Sequence, residues 1–311
     1  MNSNRQRTIL LTGATGFIGA AVVKRLLQAG DLPVVLIRPS SDLTRLQKLK
    51  GYETIAYNTL TSQDLGHRVR SYAPQAFVHL AWRGTNSKEH NQPYQITDNL
   101  PQTIASVKLA NLAGCRQWIG VGSQTEYGCP NRQVSEEDPP HPISAYGRAK
   151  LASCWAALGL SEAYQICGTW VRLFGVYGAD DEPYRLFPYV VRELASDRVP
   201  KVTECRQLWD YLYIDDVASA IVSLIDAEAG GIFNVGSGEA VALKTAIEYI
   251  RELTNPKICP EYGAIAYGSR QVMHLQADVA KLKRVAQWYP KIGLEDGLQR
   301  TVEHFRSRLP Q

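Results

Sequence analysis

Residues 8–30, TILLTGATGFIGAAVVKRLLQAG, constrain the fold more than any other stretch of the 311-residue chain. Ile9, Leu10 and Leu11 form an apolar run of strand length. Gly13, Gly16 and Gly19 follow at the spacing G-x-x-G-x-x-G, and Ile18, Val22, Val23, Leu26 and Leu27 then recur at helical spacing. Strand, glycine turn and helix, in that order, form the context that a phosphate-binding turn needs. Gly13 permits the tight reversal, and Gly16 lets backbone amides approach a pyrophosphate with no Cβ between. Gly19 lets the helix lie close to the strand. The helix's unpaired amides and positive dipole end then face the phosphates. This predicts a dinucleotide site built on Gly13, Thr15, Gly16, Phe17, Ile18 and Gly19.

The pattern continues as an alternation. Apolar runs of strand length lie at 32–38, 53–58, 75–81, 117–123 and 165–173, with helical segments from about Asn99 to Ala113 and Ala145 to Ala163. Strands alternating with helices predict an α/β fold, a doubly wound parallel (Rossmann) sheet with helices on both faces. Ligands of such sheets bind at the carboxyl ends of the strands. That rule selects Arg38, Asn58, Ala81–Trp82, Ser123 and Leu173–Phe174, with Leu60 and Leu80 beside them. Beyond residue 175 the alternation weakens. Residues 1–176 and 205–238 are expected to form the dinucleotide-binding domain, with 205–238 returning to the sheet. Residues 177–204 and 239–311 are expected to form a smaller substrate lobe.

Composition excludes several alternatives. The net charge of +4 is spread along the chain with no dense basic run, so no nucleic-acid partner is expected. MNSNRQR has no apolar leader core, and no stretch of membrane-spanning length is free of charge. The six cysteines include no C-x-x-C pair and no metal-ligand spacing, which reads as reduced thiols in a cytoplasmic protein without a metal.

Tyr146 and Lys150, in A-Y-G-R-A-K, stand four residues apart and share a helix face. A lysine ammonium beside a phenol favours the phenolate, so the spacing predicts a Tyr146 pKa lowered toward working pH and an acid or base role. Ser123 ends the preceding strand and can donate to a substrate oxygen at the sheet edge.

These features in chain order resemble the extended short-chain dehydrogenase/reductase family, the NAD(P)-dependent nucleotide-sugar epimerases, dehydratases and reductases. The resemblance covers nearly the whole chain. It runs through T-G-A-T-G-F-I-G (12–19), H-L-A (79–81), Asn99, S-Q-T-E-Y-G (123–128), Y-G-R-A-K (146–150), R-L-F-G-V-Y-G (172–178), D-Y-L-Y-I-D-D-V-A (210–218) and F-N-V-G-S-G (233–238). It implies a catalytic set of Ser123, Tyr146 and Lys150, with Lys150 also holding the nicotinamide ribose and Asn99 supporting the Lys150 end of the site. Leu80, Trp82 and Leu173 would line the cofactor, and the family often dimerises through the helices at 99–113 and 145–163.

Departures from the family pattern narrow the choice. Dehydratases of the family carry Asp-Glu directly after the catalytic Ser/Thr. Gln124 and Thr125 stand there instead and cannot act as acid and base for an elimination. NAD-specific members place Asp or Glu at the tail of the second strand. Here Arg38 is followed by Pro39, Ser40 and Ser41, which suits a 2′-phosphate and favours NADP(H), with NAD(H) as the alternative. Trp209 occupies the position where an arginine commonly holds the substrate diphosphate, leaving Arg270, and after it Arg206, as the expected cation. Gln124, Thr125, Phe187 and Trp209 complete the expected substrate contacts. Residues 261–278 resemble the branch that contains reductases of NDP-4-keto-6-deoxyhexoses, of the CDP-abequose synthase type. The expected partner is therefore a nucleotide-diphosphate sugar, and the expected activity an NADPH-dependent 4-ketoreductase in a homodimer. A nucleotide-sugar 4-epimerase and a non-catalytic NAD(P)-binding protein are the alternatives.

Overall fold

The computed structural model describes residues 6–308. Met1–Arg5 and Leu309–Gln311, which belong to the two outer segments named above, lie outside the described residues. In chain order the elements are β1 (Thr8–Thr12), α1 (Phe17–Gln28), β2 (Leu32–Ile37), β3 (Glu53–Ala56), α2 (Gln63–Arg70), β4 (Ala76–His79), α3 (Tyr94–Thr97) and α4 (Asn99–Ala113). Then come β5 (Gln117–Ser123), β6 (Arg132–Val134), α5 (Ala145–Ala163), β7 (Cys167–Leu173), β8 (Gly175–Tyr177), α6 (Leu186–Ala195), β9 (Lys201–Val202) and β10 (Leu208–Tyr213). The chain ends with α7 (Ile214–Asp226), β11 (Gly231–Val235), β12 (Ala240–Ala242), α8 (Leu243–Thr254), β13 (Glu261–Tyr262), β14 (His274–Ala277), α9 (Ala280–Ala286) and α10 (Leu294–Arg306).

Seven parallel strands form the main sheet in the order β3-β2-β1-β4-β5-β7-β11. The chain winds outward from β1 in one direction through β2 and β3, and in the other through β4, β5, β7 and β11. The carboxyl ends of β1 and β4 therefore sit side by side at the point where the strand order reverses, which is where such sheets open a binding crevice. The period of two along each strand feeds two cores. Ile9 and Leu11 pack with Val22, Val23 and Leu26 of α1 and Val217 and Ile221 of α7. Leu10, Phe77 and Trp118 pack on the other face with Val107 and Leu109 of α4 and Ala157 of α5.

The remaining strands do not extend this sheet. Of residues 205–238, β11 pairs with β7 at the edge of this sheet, whereas β10 does not join it. β10 centres a second sheet, between β12 and β14, with β6 beyond β14 and β8 pairing with β10. Asp210 explains the anchoring of this strand. Its buried carboxylate accepts from the amides of Ser237 (2.6 Å), Gly238 (3.0 Å) and Ala277 (3.1 Å), joining three segments distant in sequence. Helices α6, α8 and α10 build a separate core of Phe187, Val190, Ile247, Ile250, Leu298 and Val302, which lies against Tyr177 and Tyr213. Helix α2, absent from the sequence reading, starts at a Ser62 cap whose hydroxyl accepts from Leu65 N.

Candidate active site

At the crevice the turn after β1 takes a left-handed backbone at Gly13 (φ +70°), and a Cβ there would lie 2.5 Å from the amide nitrogen of Ala81. Glycine is what lets β1 and the end of β4 come together. A Cβ at Gly19 would overlap the Gly13 carbonyl, so α1 lies directly on the turn. Gly16 is the N-cap of α1; among the described residues no side chain caps the helix, and its first turn carries no acid. Thr15 and Gly16 are half-buried, and Phe17 and Ile18 reach the wall of a cleft of about 470 Å³. A turn with glycine at 13 and 16 and an uncapped, positively polarised helix end fit a dinucleotide pyrophosphate.

Leu80, Trp82 and Leu173, at the ends of β4 and β7, line the same cleft, and half-buried Ala81 backs the Gly13 turn. Arg38 and Ser40 are exposed beyond β2, and the Ser41 hydroxyl accepts from the Arg38 amide at 2.9 Å, holding that turn closed. Asn58 is exposed after β3, whereas Leu60 is buried in the core under α2 and α4.

Ser123 stands at the carboxyl end of β5. Its oxygen accepts from both the amide (3.2 Å) and the hydroxyl (3.0 Å) of Thr125. With both lone pairs engaged, the serine hydrogen is the group left to donate into the cleft. Helix α5 begins at a Ser144 cap accepting from Gly147 N at 3.1 Å. A Cβ at Gly147 would stand 2.6 Å from the Thr125 carbonyl, so the helix presses on the turn that carries Ser123. Tyr146 and Lys150 thereby meet Ser123 in one wall of the cleft.

The aromatic surroundings of Tyr146 come from the stretch between β4 and α4. His90 lies flat on the phenol ring (centroids 4.4 Å apart, planes 7° apart), and Trp82 meets it edge-on at 5.9 Å. The Trp82 face also covers the Lys150 ammonium at 3.6 Å, and Nζ donates to the Val121 carbonyl at 2.6 Å. Asn99 acts at one remove. It brackets Arg83, accepting from its amide (2.8 Å) and donating to its carbonyl (3.0 Å), and donates to Gln95 Oε1 at 3.2 Å. The same Gln95 oxygen accepts from the Trp82 indole at 2.8 Å. Asn99 therefore supports Lys150 through Gln95 and Trp82.

The expected lowering of the Tyr146 pKa is corrected by the structure. Burial pushes the phenol up to about 12, with the Ser123 hydroxyl offsetting part of the rise. Lys150 Nζ lies 5.7 Å from the ring centroid, and burial pushes the ammonium itself down to about 7. Desolvation dominates, so the Tyr146 phenol is held protonated.

Gln124, Thr125, Phe187 and Trp209 all reach the cleft. Arg270 does not line it and is exposed in the turn after Gly268, while Arg206 pairs with Glu204 at 3.2 Å on the surface. Arg185, at the start of α6, is the guanidinium on the cleft wall, facing Tyr146 and His90. Its Nε is 3.5 Å from the buried carboxylate of Asp181, which burial pushes up to about 6. Neither Arg185 nor His90 carries a motif; both lie in segments without apolar periodicity, and only the folded chain aims them inward.

Residues 9–236 match the NAD dependent epimerase/dehydratase family, and the chain belongs to it. It is thus an oxidoreductase-type enzyme of the extended short-chain dehydrogenase/reductase fold. The chain is 27% identical to a UDP-glucose 4-epimerase of Mycolicibacterium smegmatis, covering 96% of this chain and 98% of that one. It is 25% identical to the CDP-abequose synthase of Salmonella muenchen, covering 95% and 97%. Among solved structures, MoeE5 in complex with UDP-glucuronic acid and NAD superposes with a TM-score of 0.83 at 26% identity, over 97% of this chain and 100% of that one.

Proposed function

We propose that this enzyme reduces the 4-keto group of a nucleotide-diphosphate-linked 6-deoxy sugar, with NADP(H) as the hydride carrier. One observation carries the reading. Two hydrogen donors, the protonated Tyr146 phenol and the outward hydrogen of Ser123, stand in the same cleft wall, so a carbonyl oxygen placed there is polarised and then protonated. When bound, the nicotinamide supplies hydride to the carbonyl carbon. Ser123 holds the oxygen and Tyr146 delivers its proton to it, and the nearby Lys150 ammonium stabilises the phenolate left behind. Gln124 and Thr125 offer no acid–base pair, which supports reduction over dehydration. Arg38 with Ser40 supports a 2′-phosphate on the cofactor, and the Gly13–Gly19 turn supports its pyrophosphate. Arg185 takes the diphosphate role that Arg270 was expected to fill, and Trp209 offers a flat face for the base or sugar.

A second reading, a nucleotide-sugar 4-epimerase, is favoured by the 27% identity to UDP-glucose 4-epimerase. Assays with dTDP-4-keto-6-deoxyglucose plus NADPH, and with UDP-glucose plus NAD⁺, separate the two. Stoichiometric NADPH oxidation supports the reductase, whereas UDP-galactose formation without net cofactor change supports the epimerase. Loss of either turnover in Tyr146→Phe, with cofactor binding retained, tests the proton donor. We assign the homodimer to the α4–α5 face, where Leu112 (52% exposed) and Trp155 (62% exposed) present apolar surface.

A further inference from the structure

A fully buried carboxylate lies beneath Ser123. Glu126 closes the short turn that follows β5 and has 0% exposure. Its Oε1 accepts from the Ser123 amide at 2.9 Å and from the Trp170 indole at 3.0 Å, while Oε2 accepts from Arg172 Nε at 2.8 Å. Arg172 is 2% exposed, lies over the Tyr127 ring at 4.5 Å, and has one guanidinium nitrogen, Nη1, without a partner among the described residues. The sequence makes room for this cluster at Gly122, where a Cβ would collide with both the Trp170 indole and the Glu126 carboxylate. The backbone just before Ser123 is held as well, because Lys150 Nζ donates to the Val121 carbonyl. The strand end that presents the serine is thus fixed at two points, one of them an ion pair out of contact with water.

A buried ion pair is a poor device for stability, since two well-packed apolar residues serve as well or better. Its value has to be sought in what it positions. We infer that Glu126, braced by Arg172 and Trp170, is a positioning residue of the reaction, fixing the Ser123 backbone at the corner where the carbonyl oxygen is held. The inference rests on the reading of Ser123 and Tyr146 as the acting groups.

The carboxylate's charge has a second consequence. It opposes ionisation of Tyr146 and favours the ammonium form of Lys150. Besides Trp82 at its edge, the other groups facing Tyr146 are His90 on its ring face, Ser123, Lys150, and Arg185 with Asp181 behind it. None of these supplies a buried negative charge on the Ser123 side.

The test compares wild type, Glu126→Gln, Glu126→Asp and the double variant Glu126→Gln/Arg172→Met. Turnover is measured with dTDP-4-keto-6-deoxyglucose and NADPH, and with UDP-glucose and NAD⁺. Tyr146 is titrated by tyrosinate absorbance, as the difference between each protein and its Tyr146→Phe counterpart. Glu126→Gln should lower kcat by about ten- to a hundredfold, as misplacement of a reacting group does, with KM within about twofold. Its Tyr146 midpoint should move to lower pH, because the opposing charge is gone. Glu126→Asp keeps the charge and should keep the midpoint, yet lose kcat, because the shorter side chain gives up the Ser123 amide. If Glu126→Gln does not fold, the double variant, with neither charge left buried alone, carries the same two measurements. Wild-type kcat and an unmoved midpoint in a folded Gln variant would overturn the inference. Wild-type turnover in Tyr146→Phe overturns the functional reading instead, so the two failures are distinguishable.

Discussion

Lys150→Met should make the protein more stable while disabling it. The ammonium is 4% exposed and burial lowers its pKa from 10.5 to about 7, so the folded chain resists holding the proton that the unfolded chain holds readily. A displacement of that size corresponds to a ceiling of about 5 kcal/mol at 1.36 kcal/mol per pH unit. Relaxation and water penetration reduce such penalties in real proteins, and we expect about 2–3 kcal/mol to be recovered. The sign follows from proton counting. Below pH 7 both states carry the proton and the full cost is present. Between pH 7 and 10.5 the folded state has released it and the unfolded state has not, so this group makes stability rise with pH across that window. Methionine keeps most of the stem volume and removes the charge. Urea unfolding of both proteins near pH 7 and again near pH 10 is the assay. The variant should lead by the expected margin near pH 7 and the gap should narrow toward pH 10. A variant less stable than wild type near pH 7, or a gap independent of pH, would refute the reasoning. The Val121 and Trp82 contacts would then outweigh desolvation.

Three further outcomes are expected. Arg38→Asp should shift the preference from NADPH toward NADH by about 1–3 kcal/mol, the worth of an exposed charged hydrogen bond replaced by repulsion, read by calorimetric titration with both cofactors. An unchanged ratio makes Arg38 an ordinary loop residue. Arg185→Ala should raise KM for the nucleotide sugar by one to two decades, equivalent to about 1.5–3 kcal/mol, while Arg270→Ala should leave it near wild type. The reverse pattern would restore Arg270 as the diphosphate ligand. Trp155→Glu should convert a dimer to a monomer in light scattering, and a monomeric wild type would remove the α4–α5 interface.

The parallel sheet and the glycine turn at its crevice were legible in the chain because both depend on local rules. Ile9, Leu10 and Leu11 sort to opposite faces by the strand period. Gly13 and Gly19 mark where a Cβ would meet the end of β4 or the turn itself. The 146–150 spacing likewise put Tyr146 and Lys150 on one helix face. What stayed hidden depends on contacts between distant segments. No local signal says that β10 leaves the main sheet, since its anchor is the Asp210 carboxylate reaching amides at 237, 238 and 277. Nor does any pattern show that the polar stretch after Trp82 folds back to stack His90 on Tyr146. Arg270 sits in a glycine-rich loop that invites close approach to a ligand, but that loop stays on the outside. Arg185 reaches the cleft because α6 starts beside it.

The protonation of the Tyr146–Lys150 pair shows where a charge argument taken alone goes astray. Ammonium beside phenolate and amine beside phenol carry the same total charge, so the choice between them turns on solvation. Burial disfavours two separated charges more than their attraction at this spacing repays, and it moves the pair toward the neutral form, phenol raised and ammonium lowered. Glu126 works against this on the lysine while reinforcing it on the tyrosine, because a fixed negative charge favours protons on both. The result is a wall of the cleft in which Tyr146 keeps its proton. Beside it, the two Thr125 donors occupy the lone pairs of the Ser123 oxygen and leave its hydrogen free to donate. The protonation of Tyr146 is thus set by the burial of its helix and by a carboxylate behind the serine, as much as by the lysine four residues on.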